Sequence, residues 1–281
     1  MNAPAPEIAV RVWGDFACFT RPEMKVERVS YPLCTPSAAR GILEAIFWEP
    51  EMFYVLDSIH VIRRGRWFSL RRNEVKKVIN VSEAARWMSG KKPVAYIEAG
   101  GGSDDGAQRN MLGLAGVEYV LTAAVRLTSL PRAGNGGTAK YVEEIRRRAS
   151  KGKCYHRPAL GCREFAADFD WVEEMAPAAR EDWTEDLGLM LYDVFDLEKR
   201  AAGFRWAREQ DLPPDEQGDS RGATRRIAAA SSTLRTGTSS YEGLKINPEA
   251  HFFRARVNGG VMDCHPDRVE VIRPSGAGET S

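Results

Sequence analysis
The chain has 281 residues, 43% hydrophobic and 28% charged, a composition that suits a soluble globular protein of one large domain or two smaller ones. A net charge of +1 excludes a globally basic nucleic-acid binder, though not a local basic face. No apolar run approaches the ~18–20 residues of a membrane span, and the opening MNAPAPEIAVRVWG lacks the basic and apolar segments of a secretory signal.

In chain order, Glu7 to Phe19 alternates with Ile8, Val10 and Val12 on one face and predicts a strand. Thr35-Pro36 opens a helix, with Thr35 as N-cap and Pro36 in the first position. Its apolar stripe is Ala39, Ile42, Leu43, Ile46 and Phe47; Arg40 points off the stripe, and Pro50 ends the helix. Tyr54 to Arg64 is a second strand, and Trp67 to Arg72 continues the sheet or begins a hairpin. Residues 73–99 are mixed, with a short strand expected at Val94 to Ile97. GGGSDDG at 100–106 is a loop, because a phosphate-binding glycine turn must open a helix and the acids here would repel phosphate. Val117 to Leu127 is a strand. Lys140 to Ser150 is a helix with Thr138 as N-cap, Val142, Ile145 and Ala149 inward, and Gly152 as its end. A turn at Arg157-Pro158 leads to a strand within CREFAADFDWV.

This order predicts an α+β fold: a ferredoxin-like (RRM-type) βαββαβ domain with a hairpin insert over residues 1–176. Residues 177–281 read as a smaller β-rich domain, with strands near 187–195, 250–257 and 267–273 and a mobile loop at about 210–240. The odd set Cys18, Cys34, Cys154, Cys162 and Cys264 has no CxxC, which argues against a disulfide framework and for a reduced, cytoplasmic protein. It also argues against a zinc site; no metal and no cofactor is expected.

The charge is uneven. Between residues 138 and 165 stand Lys140, Arg146, Arg147, Arg148, Lys151, Lys153, Arg157 and Arg163, interleaved with Tyr141, Tyr155 and His156. Residues 168–219 are acidic. Cations alternating with rings suit a phosphate backbone with bases to stack, as well as an ordinary solvated helix. No GxSxG, HExxH or GxxxxGK[ST] occurs. The chemistry that suits this residue set is RNA cleavage without a metal, in which the ribose 2′-hydroxyl attacks the adjacent phosphate. That step needs a group to take the 2′ proton, a cation for the phosphorane and a donor for the 5′ leaving oxygen. Lys140 supplies a cation. A phenol such as Tyr141 donates a hydrogen bond better than it takes a proton. An imidazole such as His156 titrates near neutrality.

The segments VRVWGDFACFTRPE, IHVIRR, RRNEV, QRN before VEYVLTAAVRL, and CYHRPALGCREF resemble the CRISPR-associated protein family five in its type I-C (Dvulg) subtype. The resemblance covers most of residues 8–195. It implies an RRM-like amino-terminal domain with a small β-rich carboxy-terminal domain. It implies metal-independent cleavage of precursor CRISPR RNA within the repeat, leaving a 5′-hydroxyl and a 2′,3′-cyclic phosphate. The protein then stays on the 5′ handle of the guide within a type I-C surveillance complex. The family's Tyr, Lys and His fall at Phe47, Lys140 and Tyr141, so only the lysine is retained. On this reading Lys140 stabilises the phosphorane and Tyr141 is the donor or acid. His156, or the geometry of the attacking hydroxyl, compensates for the base. Arg40, Arg146, Arg147, Arg148, Lys151, Lys153 and Arg157 contact RNA. Two alternatives stay open: a non-catalytic RNA-binding subunit, and a double-stranded-DNA-binding subunit using the basic helix and the arginines of 221–235.

Overall fold
The structure is a computed structural model that describes residues 6–76, 79–98, 102–129, 137–173, 181–194, 201, 239–241, 244–246 and 250–272. It is α+β, with most of its elements in one mostly antiparallel sheet. The elements are β1 (Ile8–Ala17), β2 (Arg28–Val29), α1 (Pro36–Ile46), β3 (Met52–Arg63), β4 (Arg66–Val75), α2 (Val81–Met88), β5 (Gly106–Leu127) and α3 (Ala139–Ala149). They continue with β6 (Asp168–Trp171), β7 (Glu185–Asp193), β8 (Ser239–Tyr241), β9 (Leu244–Ile246), β10 (His251–Asn258), β11 (Val261–Asp263) and β12 (Val271–Ile272). The main sheet is ten-stranded and runs β12-β10-β11-β3-β5-β1-β6, with β2 and β4 also on β5 and β7 on β10.

β5 is the spine. Its second half is buried from Val117 to Val125 and lies between β1 and β3, pairing Ile8 with Ala123 and Leu56 with the same residue. Its first half leaves the core and pairs with β4, Arg66 opposite Ala115 through Val75 opposite Gly106, as a long hairpin arm. The strand is therefore twice the length the apolar run predicts. Residues 94–97 are not a strand; the regular element of this region is α2, capped by Asn80, whose side chain accepts from Ser82 N at 2.9 Å.

α1 forms where Thr35 and Pro36 predict it. Thr35 Oγ1 accepts from Ala38 N at 3.2 Å, and Ala39, Ile42, Leu43 and Ile46 are buried against the sheet. Each fully buried Ile or Leu is worth about 1.5–3 kcal/mol. α3 buries Tyr141, Ile145 and Ala149. Thr138 makes no side-chain cap there, because it already has helical φ/ψ and instead offers its carbonyl to Tyr141 N and Val142 N. Gly152, at φ +61, ends the helix by donating to Ala149 O at 3.0 Å.

The predicted strand at 162–172 is shorter than expected. Only Asp168–Trp171 pairs with β1, and Pro158 to Ala167 fold into a tight hook. Gly161 is the reason. It holds φ +87, and a Cβ there would stand 2.1 Å from Cys18 O. The conspicuous PALGCREF segment is thus a turn pressed onto the end of β1.

Hydrogen bonds cross the expected boundary near residue 176. Met262 pairs with Ile59, and Tyr192, Phe253 and Met262 belong to the same core as Ile42 and Tyr119. The 210–240 loop lies outside the described residues, except for the first two residues of β8.

Candidate active site
The site lies where α1 ends and α3 begins. Phe47 follows α1 in extended conformation (φ −156°, ψ 131°), and Tyr54 Oη donates to its carbonyl at 2.7 Å. The last carbonyls of a helix have no partner within it. Here Ala45 O accepts from Tyr155 N at 3.0 Å and from His156 N at 2.9 Å, so the chain after α3 closes the end of α1. Residues from two distant stretches meet at that junction.

Lys140 and Tyr141 occupy the first turn of α3. Lys140 is exposed and its Nζ stands 4.6 Å from the centroid of the Tyr141 ring. Tyr141 turns inward, is 1% exposed, and stacks on Phe47 with centroids 6.4 Å apart and planes at 29°. Two turns of helix separate Tyr141 from Arg148, about 10.5 Å of rise, and Phe47 fits between them. Arg148 Cζ lies 5.3 Å from the Phe47 ring centroid. The structure therefore brings together Phe47, Lys140, Tyr141 and Arg148. The Tyr141 hydroxyl is buried and has no hydrogen-bond partner among the described residues.

His156 is the exposed histidine; His60, His251 and His265 are buried. It reaches the junction through its backbone bond to Ala45. Its ring packs edge-on against Tyr155 at 4.6 Å, and Tyr155 is itself 75% exposed. Tyr155 was not among the expected site residues. Its interleaving with the cations was the available signal.

The expected RNA contacts separate into groups. Arg40 is not on the surface. Its Nε and Nη2 donate to Asp193 at 3.0 Å each and its Nη1 to Glu44 at 2.6 Å, and it is 9% exposed. The face it occupies is covered by β7, which one helix's periodicity cannot reveal. Arg146 pairs with Glu173 at 2.8 Å, and Arg157 with Asp168 at 2.5 Å. Arg147 and Arg148 both bond Glu144 at 2.7 Å. Those two guanidinium groups hold the Glu144 carboxyl at about 2, well below the usual carboxylate range. Lys151 and Lys153 are exposed without an acidic partner among the described residues. The arginines of 221–235 lie outside those residues.

Fold and site together define an α+β protein with a cationic and aromatic cluster at the junction of two helices. The model of the family described as CRISPR-associated protein (Cas_Cas5) matches residues 7–264, and the chain belongs to that family. A relative from Mannheimia succiniciproducens, named CRISPR pre-crRNA endoribonuclease Cas5d, is 44% identical over 200 residues, covering 68% of this chain and 85% of the relative. A relative of the same name from Thermus thermophilus is 44% identical over 187 residues, 66% of this chain and 72% of the relative. A crystallised CRISPR-associated protein aligns with TM-score 0.48 and 18% identity over 91% of this chain and 90% of that one.

Proposed function
We propose that this protein cleaves precursor CRISPR RNA within the repeat, without a metal ion, and stays on the 5′ handle of the guide as a subunit of a type I-C surveillance complex. The relatives named as pre-crRNA endoribonucleases support the substrate. The observation that carries the reading is the stacking of Tyr141 on Phe47 beneath Lys140.

On this reading the scissile phosphate sits at the start of α3. Lys140 Nζ, exposed beside the helix N-terminus, faces the charge that develops on the phosphorane. The attacking 2′-hydroxyl gives its proton to His156. The 5′ oxygen leaves with a proton shared by the Tyr141 hydroxyl. For that the bound repeat has to open the packing over this buried hydroxyl, and it then supplies the acceptor the hydroxyl lacks. The products are a 2′,3′-cyclic phosphate and a 5′-hydroxyl. Arg148, Lys151 and Lys153 contact the flanking backbone.

Residues 1–176 form a ferredoxin-like unit, supported by the order β6-β1-β5-β3 with α1 and α3 as its crossovers. Residues 177–281 form the smaller β-rich unit that extends its sheet. The protein acts in the cytoplasm; among the described residues no helix is long and apolar enough to cross a membrane.

A second reading rests on Phe47, which has no hydroxyl to transfer a proton: the protein binds the repeat and does not cut it. Repeat RNA with purified protein in EDTA separates the two. Cleavage to a 5′-hydroxyl product, slowed by Lys140→Ala, supports the nuclease. Intact RNA over hours with binding preserved leaves the binding subunit. Equal competition by non-cognate duplex DNA at matched salt would favour the double-stranded-DNA alternative.

A further inference from the structure
Two cysteines lie side by side at the opposite end of β1 from Phe47. Cys18 follows β1, and its N donates to Leu160 O at 2.9 Å. Gly161, pressed against the Cys18 carbonyl, delivers Cys162 to the same point; Cys162 Sγ is 3.6 Å from Cys18 O. Thr20 Oγ1 lies 3.5 Å from Cys18 Sγ and 4.0 Å from Cys162 Sγ. Met111 and Phe165 complete this small cluster. Arg28 Nη1 donates to Cys162 Sγ at 3.1 Å.

The pair is unequal. The hydrogen bond from Cys18 and the Arg28 guanidinium hold the Cys162 thiol below the usual thiol range, against its burial. Cys18 keeps the proton; its bond to Cys162 and burial push it up. A cleft of about 470 Å3, lined by Thr20, Lys25, Arg28, Cys162, Arg163 and Glu164, borders this sulfur. Glu74 and Glu164 are the acids that face Arg28. Cys34 and Cys264 are fully buried and pushed up by that burial. A thiol held below its usual range beside a cation, bordering a cleft and backed by a second thiol, is the arrangement that peroxide attacks selectively.

We propose that Cys162 is a peroxide-reactive site and that it closes with Cys18 into a reversible disulfide. The Cys162 sulfur attacks one peroxide oxygen, and the O–O bond breaks. Hydroxide leaves and takes a proton to become water, and Cys162 becomes a sulfenic acid. Cys18 then loses its proton and attacks the Cys162 sulfur, breaking the S–O bond and releasing a second water. Two thiols are oxidised by two electrons and one peroxide is reduced. A dithiol reverses the step. The disulfide fixes the hook at 158–167 to the end of β1. It also ties up the sulfur that Arg28 faces across the cleft.

The test is a time course of the full chain with hydrogen peroxide, followed by alkylation and peptide mass mapping. The expected result is a Cys18–Cys162 cross-linked pair lighter by two hydrogens and restored by dithiothreitol. It should form at least about tenfold faster than half-buried Cys154 oxidises, because among the described residues Cys154 lacks the neighbouring thiol and guanidinium that face Cys162. Arg28→Gln, which keeps both thiols, should slow it. Cys18→Ser should leave a Cys162 sulfenic acid that dimedone traps. If Cys154 reacts first, or if Cys162 oxidises in the wild type without cross-linking to Cys18, the proposal is overturned. Peptide mapping of the wild type decides this even if a variant fails to fold.

Discussion
Tyr141→Phe separates the two jobs of one side chain. The ring stacks on Phe47 at 6.4 Å and carries Lys140 Nζ at 4.6 Å; phenylalanine keeps both contacts. Only the hydroxyl is lost, and it is buried without a partner among the described residues. A buried hydroxyl that makes no hydrogen bond costs roughly 1–3 kcal/mol of desolvation. Part of that is offset by the small void its removal leaves. The variant should therefore be about 1 kcal/mol more stable in urea unfolding, with a Tm about 2–4 °C higher. If the same hydroxyl protonates the leaving oxygen, single-turnover cleavage of repeat RNA should fall by about 10²–10⁴-fold. Stability up and chemistry down is a pairing that loss of packing cannot produce. A variant that is less stable would mean the hydroxyl has a partner in the folded protein. An unchanged cleavage rate would remove Tyr141 from the proton transfer.

Arg40→Ala strips two guanidinium bonds from buried Asp193 and should cost about 3–5 kcal/mol in urea unfolding. The salt dependence of RNA binding should not change; a flatter slope at normal stability would restore Arg40 as an RNA contact. Phe47→Tyr places a hydroxyl at the family tyrosine position and should raise the single-turnover cleavage rate; no gain would exclude that position from proton transfer. Glu144→Gln releases Arg147 and Arg148 and should tighten RNA binding and steepen its salt slope by about one to two phosphates. Equal slopes would mean these arginines face away from the RNA. Glu144 is an acid held below its ordinary pKa. Its pairing therefore stabilises α3 fully above the ordinary carboxylate range and is lost as pH falls through about 2. A carboxyl titration by NMR with a midpoint near 4 would contradict the pairing.

Local signals carried far. Thr35-Pro36 and the 3.6-residue stripe placed α1, and the apolar run from Val117 placed the buried half of β5. Other features depended on contacts across the chain. Arg40 lies on the polar side of its own helix, but Asp193 arrives there with β7. Gly161 sits in a stretch with strand-like composition, yet the Cys18 carbonyl leaves no room for a side chain. Polarity made Tyr141 a surface candidate, whereas Phe47 supplies the surface that turns it inward. The hairpin insert is legible from Trp67 onward, but its returning strand is not, because that half of β5 is polar and glycine-containing and β4 rather than burial supports it.

One edge of the sheet has a history during synthesis. β3 is bordered on its outer side by β11, with Val61 N donating to Gly260 O at 2.8 Å and Ser58 to His60 paired with Val261 to Asp263. Those partners leave the ribosome long after β3 does. Until then β3 presents an apolar strand edge to any other chain, the kind of surface that templates intermolecular pairing. A chain ending before residue 260 would keep that edge permanently. Early termination or C-terminal clipping of this protein should therefore show itself first as self-association.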